Sequence, residues 1–239
     1  MKISIITVCF NSESTIRDTI ESVLKQTYKD YEYIIVDGKS TDNTLNIINE
    51  YKNIKLISEK DKGFYDALNK GIKIASGDII GIINADDVLY DENVFKTIVD
   101  NYKDDTQIMY ANIKYYNEDF SKVVRDYISG AKYSNAWCPA HPSMYIRKEV
   151  FDKIGYYNLD YRIVADYDFM VRCNINNIRY KYINQYFVKM RYGGASNGLA
   201  GYIKNFFECY KVLKTNKIKC PLLKTIKRTL HTIYQIIKK

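Results

Sequence analysis

Carboxylates and amides gather at three short stretches of this 239-residue chain: Asn11-Ser12, Asp37-Gly38-Lys39-Ser40 and Asn84-Ala85-Asp86-Asp87. Adjacent carboxylates repel each other unless a cation offsets their charge. Hard oxygen donors favour Mn²⁺ or Mg²⁺, with phosphate oxygens and water completing the shell. The Asp86-Asp87 pair could equally open a helix as an N-cap. Asp37 can accept hydrogen bonds from a base or ribose edge, or act as the turn residue before Gly38. Further on, Val164-Ala165-Asp166-Tyr167-Asp168-Phe169 places two acids at the start of a predicted helix. There they complement the helix dipole, or one of them, set among apolar neighbours, serves as a general base. Trp137-Cys138-Pro139-Ala140-His141-Pro142-Ser143 holds the single Trp and one of two His. Its prolines stiffen the backbone, and Trp137 either stacks on a sugar ring or packs a surface loop. Gly193-Gly194-Ala195-Ser196 reads as a loop over a ligand or as a plain turn.

The elements that must carry these groups alternate. Ile3 to Val8, Tyr33 to Val36, Ile54 to Ile57 and Asp78 to Ile83 are short apolar runs that predict buried strands. Between them lie helical patterns: Ile16, Ile20, Val23 and Leu24; then Leu45, Ile48 and Tyr51 behind caps at Thr41 and Asp42; then Tyr65, Leu68 and Ile72 within Gly63 to Ala75. Val94, Phe95, Ile98 and Tyr102 mark another helix. Such alternation predicts right-handed βαβ units, a mostly parallel sheet and an α/β fold. Ligands of such sheets bind beyond the carboxyl ends of the strands, where the three polar stretches fall. After Met109 the pattern changes to a hairpin region (Tyr110 to Tyr127), helices at Lys148 to Ile154 and Asp166 to Asn176, and a strand at Tyr180 to Met190. Two helices close the chain, Gly201–Leu213 and Pro221–Ile237.

Composition excludes other classes. GxGxxG, GxxxxGK[ST] and GxSxG are absent, which argues against dinucleotide oxidoreductases, P-loop enzymes and α/β hydrolases. Five scattered cysteines without a CxxC pair suggest free thiols in a reducing compartment and, with two histidines, no zinc site. No signal-peptide pattern or membrane span is expected. The net charge of +8 sits unevenly: residues 201–239 hold ten Lys or Arg against one acid, Glu208, leaving the first 200 residues at −1. The boundary is therefore placed at 200/201, with 201–239 as a basic helical extension. In Pro221 to Lys239, Leu222, Ile226, Leu230, Ile233 and Ile237 form an apolar stripe, which either rests on an anionic membrane or packs on the main domain.

Six stretches in order, across roughly residues 1–200, resemble the inverting family 2 glycosyltransferases of GT-A fold, closest to bacterial types that build O-antigen, capsule or exopolysaccharide. They are Ile3 to Asn11, Ile34 to Thr44, Glu59 to Gly71, Asn84 to Asp87, His141-Pro142-Ser143 and Ala165 to Asp168. The resemblance implies a GT-A domain over 1–200, a Rossmann-like nucleotide-binding βαβ sandwich with a mixed, mostly parallel sheet. It implies that Thr7, Cys9 and Asn11 line the nucleotide pocket, that Asp37 binds the base, and that Asp61 lies in the loop closing over the nucleotide. Asn84 and Asp86 take the first and third places of the DxD motif, with Asn84 toward the ribose and Asp86 as the metal ligand. Asp87 borders the donor sugar, Asp166 is the catalytic base with Asp168 in reserve, and Trp137 and His141 lie on the acceptor side. Asn84 replaces the first acid of DxD and Ala165 a frequent Glu.

The implied reaction moves a sugar from a nucleoside-diphosphate sugar, a UDP-sugar favoured, to a saccharide or lipid-linked saccharide. Mn²⁺ or Mg²⁺ is the implied cofactor. The implied location is the cytoplasm or the inner face of its membrane, reached through the basic tail. A non-catalytic sugar- or polymer-binding module is the alternative, disfavoured by the survival of Asp37, Asp86 and Asp166. Nucleic acid is not an expected partner, because the basic excess is confined to the tail and no nucleic-acid-binding signature occurs.

Overall fold

The computed structural model describes residues 1–103, 105–130, 139–193 and 199–237. Its first half runs Ile3–Cys9 (β1), Ile16–Leu24 (α1), Tyr31–Asp37 (β2), Thr44–Asn49 (α2), Ile54–Ser58 (β3), Phe64–Ile74 (α3) and Ile79–Ile82 (β4). The second half runs Val88–Leu89 (β5), Val94–Asn101 (α4), Ile108–Tyr116 (β6), Val123–Tyr127 (β7), Tyr145–Arg147 (β8), Lys148–Ile154 (α5), Ala165–Ile175 (α6), Tyr180–Arg191 (β9), Leu199–Thr215 (α7) and Pro221–Ile237 (α8). A 3₁₀ turn covers His141–Ser143.

One mixed sheet joins the strands in the order β3-β2-β1-β4-β8-β6-β9-β5, with β7 paired to β6. The β3-β2-β1-β4 side is parallel, as βαβ crossovers require. Beyond β4 the pairing turns antiparallel through β8, then parallel again between β6 and β9. Residues alternate between two cores with the strand period of two. Ile6, Ile34 and Val36 face α3, α5, α6 and α7, while Ile3, Ile5, Tyr33 and Ile35 face α1, α2 and α4. Helix α3 comes close to the sheet at Gly71, where an added Cβ would stand 2.7 Å from the Ile6 side chain.

Two local readings change. Helix α2 begins at Thr44 with Asn43 at the N-cap position; of the two expected caps, Asp42 accepts from the Thr44 N–H at 3.0 Å and also from the Glu13 N–H at 3.1 Å. The short helix buries Thr44, Ile47 and Ile48; Tyr51 just beyond it packs half-buried on the same core, as expected, while Leu45 does not. Strands β5 and β8 escape the sequence reading because two and three residues carry no periodicity. No helix among the described residues is long and apolar enough to cross a membrane.

Glu32 is the electrostatic rivet of the β1–β2 edge. Its side chain is 7% exposed and accepts from Ser4 Oγ at 2.5 Å, the Ser76 backbone N–H at 2.6 Å and Lys55 Nζ at 2.5 Å. Burial opposes ionisation, but these donors together outweigh it and bring the carboxyl from 4.5 down to about 2. The stabilisation is present above pH 4.5 and is lost as pH falls through 2. Glu32→Gln should lose about 3 kcal/mol in urea unfolding at pH 7, and the gap between the two proteins should close as pH falls from about 4.5 to about 2. A gap independent of pH would show that the carboxylate's charge contributes nothing.

Candidate functional site

At the carboxyl ends of β1 and β4, a cleft of about 860 Å³ opens between the sheet, the start of α6 and the end of β9. Cys9, Asn11, Asp61, Asn84, Asp86, His141 and Asp166 line it. Seven of the eleven site residues expected from the sequence therefore line one cleft. Thr7, Asp37 and Asp87 stand behind the wall, fully buried, and Trp137 lies outside the described residues.

One rim, at the ends of β1 and β2, is built by two loops that lock together. Asn11 and Lys39 both adopt left-handed backbone, with φ of 49° and 68°, a conformation Asn tolerates better than Lys. The Asn11 N–H donates to Ser40 Oγ at 2.8 Å, and the Asn11 side-chain oxygen accepts from the Thr41 N–H at 2.9 Å. Asp37 holds its own loop, accepting from the N–H groups of Lys39 and Ser40, from the Ser40 hydroxyl and from Ser58 Oγ. The turn role is thus the one its geometry displays. Desolvation of Cys9 itself, and second the Asp37 carboxylate beside it, push the Cys9 thiol well above the usual thiol range. Asp61 reaches over this loop. An added Cβ on Gly38 would lie 2.6 Å from Asp61 Oδ2, so a larger residue there would displace the Asp61 carboxylate. Thr7 is bonded to the Tyr33 hydroxyl at 2.9 Å.

The Asn84–Asp87 segment is a turn between β4 and β5, and no helix begins there. This removes the N-cap reading. The Asp87 N–H donates to the Asn84 carbonyl at 3.1 Å, and Asn84 Nδ2 donates to Asp87 Oδ2 at 2.8 Å. Desolvation first, and the neighbouring Asp86 charge second, push the Asp87 carboxyl well above the usual carboxylate range. Asp86 itself is exposed to the cleft. Arg191, which the sequence reading missed, clamps this turn from the end of β9. Its backbone N–H donates to Asp87 Oδ1 at 3.1 Å, its Nη1 to the Asp86 carbonyl at 2.8 Å, and its Nη2 to Asp18 Oδ2 at 2.6 Å. Nothing in the sequence marks it out, since Lys181 and Lys189 charge the same strand.

Among the described residues no group of three His, Cys, Asp or Glu side chains could enclose a metal ion. Asp86 alone offers an exposed carboxylate, beside the amide of Asn84. That set suits a Mn²⁺ or Mg²⁺ ion that takes one carboxylate and completes its shell with phosphate oxygens and water. It does not suit an ion held by protein alone.

On the far wall, Asp166 sits in the first turn of α6. Its Oδ1 accepts from the Tyr65 hydroxyl at 3.1 Å and from the Tyr167 N–H at 2.8 Å. Oδ2 has no hydrogen bond among the described residues. Tyr65, read from the sequence only as a core residue of α3, therefore also orients this carboxylate. Asp168, the reserve acid, is excluded by its surroundings: it is buried and holds Arg172 Nε at 2.8 Å and Asn216 Nδ2 at 3.0 Å. His141 Nε2 and the Tyr157 hydroxyl lie 2.7 Å apart. Desolvation lowers the His141 pKa, partly opposed by Asp166, so the imidazole is neutral near pH 7. Arg162 adds a cation to the cleft wall, again without a sequence signal. The loop carrying it is held by Glu208 of α7, whose carboxylate accepts from the N–H groups of Ile163 at 2.9 Å and Val164 at 3.3 Å. The single acid of the basic tail thus braces the start of α6.

The family model described as Glycosyl transferase family 2 matches residues 4–210. The "UDP-Glc:alpha-D-GlcNAc-diphosphoundecaprenol beta-1,3-glucosyltransferase WfaP" of Escherichia coli is 31% identical over 184 residues, covering 72% of this chain and 69% of its own. A "PGL/p-HBAD biosynthesis glycosyltransferase" of Mycobacterium bovis is 29% identical over 180 residues, covering 72% of this chain and 70% of its own. Among solved structures, Staphylococcus aureus TarS 1–349 superimposes with a TM-score of 0.70 at 18% identity, over 95% of this chain and 71% of that one. The mannosyltransferase PcManGT from Pyrobaculum calidifontis, solved with GDP-Man and Mn²⁺, also gives 0.70 at 15% identity, over 95% of this chain and 69% of its own. At those identities the structural likeness speaks for the fold.

Proposed function

We propose, from the premise that this chain belongs to glycosyl transferase family 2 and has its GT-A fold, that it transfers a sugar from a nucleoside-diphosphate sugar to a saccharide acceptor with inversion at the anomeric carbon. The favoured donor is a UDP-sugar and the favoured acceptor a lipid-linked saccharide of cell-surface polysaccharide synthesis, worked on at the inner face of the membrane. One observation carries this reading. Asp86 and Asp166 come from distant parts of the chain yet face the same cleft, one exposed at a turn and the other with an oxygen left unbonded among the described residues.

The chemistry follows from that placement. The nucleotide lies against Cys9, Asn11, Asp61 and Asn84, with Thr7 and Asp37 holding the wall behind them at the base end. Asp87 shapes the turn beside the donor sugar. Asp166 takes the proton from an acceptor hydroxyl as that oxygen attacks the anomeric carbon. Tyr65 fixes the carboxylate's orientation. His141 and Trp137 serve the acceptor side. The positive charge of Arg162 opposes the charge that grows on the departing diphosphate. A Mn²⁺ or Mg²⁺ ion at Asp86 would supply further neutralisation of that leaving group. The names of the Escherichia coli relative, a UDP-Glc enzyme acting on a diphosphoundecaprenol substrate, and of the GDP-Man and Mn²⁺ complex support this choice of donor, acceptor and metal.

The test is thermal shift against UDP, dTDP and GDP sugars with Mn²⁺. One nucleotide series should raise Tm by several degrees in a metal-dependent way. A flat response to all three, with and without Mn²⁺, would overturn the assignment.

A further inference from the structure

We propose that α8, together with the outer side of α7, is a docking face for an anionic lipid surface. The decisive observation is the direction in which α8 faces. An amphipathic helix on a folded domain normally turns its apolar stripe inward. Here the polar side is the one that meets the protein. Thr225 is buried, and the Arg228 guanidinium lies 4.2 Å from the Tyr167 ring centroid. Pro221 and Thr229 on the same side are half-buried. The apolar side points to solvent, with Leu223 66% and Leu230 60% exposed and Leu222 and Ile226 beside them. These residues follow the spacing of one helix face, and the sequence continues that spacing at Ile233 and Ile237. Helix α7, which packs against α8, likewise leaves Ile203 and Phe207 exposed. Large apolar patches of this kind mark interaction sites.

Charge selects the occupant. Residues 201–239 hold ten Lys or Arg and one acid, and that acid, Glu208, is turned inward onto the backbone of Ile163 and Val164. No acidic side chain of these helices therefore offsets Lys214, Lys217, Lys219, Lys224 and Lys227, and among the described residues none of the five has a carboxylate partner. An apolar stripe flanked by lysines matches the boundary between anionic headgroups and acyl chains, the leucines entering it and the ammonium groups staying among the phosphates. Helix α7 is tied to the cleft from its inner side, where Glu208 holds the loop of Arg162, a residue of the cleft wall.

The measurement is flotation of the full chain with vesicles of phosphatidylcholine alone and with vesicles that also contain phosphatidylglycerol. The chain should float with the anionic vesicles only, and less at high salt. The triple variant Leu223→Ser/Ile226→Ser/Leu230→Ser should lose about tenfold in partitioning. Because all three side chains are exposed, its thermal unfolding should match that of the parent. The proposal is overturned if the parent does not float, if the variant floats equally, or if the parent instead forms a dimer by sizing that the triple variant abolishes, which would make the face a contact between two copies. None of these readouts uses transfer activity, so their failure leaves the transferase reading standing.

Discussion

Asp166→Asn should bind nucleotide as tightly as the unaltered chain and transfer sugar about a thousandfold more slowly, within the range that removal of a general base produces. The asparagine keeps the shape of the side chain and can still accept from the Tyr65 hydroxyl and the Tyr167 N–H, at 3.1 and 2.8 Å in the unaltered chain. What it loses is the basic oxygen. The proposed nucleotide end of the cleft is formed by other elements, the end of β1 with the loop after it and the Asn84–Asp87 turn, so calorimetry with the nucleoside diphosphate should be unchanged. Release of nucleoside diphosphate in the presence of acceptor reads the transfer rate. Transfer within tenfold of the parent would remove Asp166 from its role, and the other acid of this helix is not placed to replace it. Asp168 is tied to Arg172 and Asn216 on the opposite side of the helix.

Asp86→Asn should show the converse. Binding of nucleoside diphosphate without metal should stay as it is, and the gain from Mn²⁺ should disappear. Transfer should fall by about a thousandfold, several kcal/mol of charge stabilisation being the usual share of a metal ion. Asp86 is the exposed acid of its pair, whereas Asp87 is buried with its carboxyl held well above the usual range, first by desolvation and then by Asp86. The two acids are therefore not equivalent. Asp87→Asn should loosen the turn, because the amide keeps one acceptor oxygen where the carboxylate accepts from both the Arg191 N–H and Asn84 Nδ2, and lower stability more than metal affinity. Calorimetric titration of UDP with and without Mn²⁺ distinguishes the two. Undiminished metal-dependent binding in Asp86→Asn would place the cation elsewhere.

The two variants rest on residues that differed in legibility. The turn at Asn84–Asp87 could be read directly, because it follows an apolar strand and its chemistry is local. Asp166 could be read as one of two acids two residues apart. On an α-helix that spacing puts them about 200° apart around the axis, so only one could face the cleft, and periodicity does not say which. The packing of α6 between α5 and α7 made the choice. Tyr65 was visible as a core residue but not as the donor to Asp166, since 101 residues separate them. Arg191 and Glu208 carried no motif at all.

By itself the sequence determined the parallel βαβ half, the strand ends where polar groups gather, and the amphipathic character of the last helix. These are written in periods of two and 3.6 residues and in turn chemistry, interactions that act over a few positions. Tertiary structure alone decided that Arg191 would clamp the Asp86-Asp87 turn, that Glu208 would brace the segment before Asp166, and that α8 would dock through Thr225 and Arg228 with its leucines outward. Those outcomes depend on which surfaces meet after the chain has closed on itself. A helix pattern records that one side is apolar, but the direction it faces is set by contacts with residues far away in the chain.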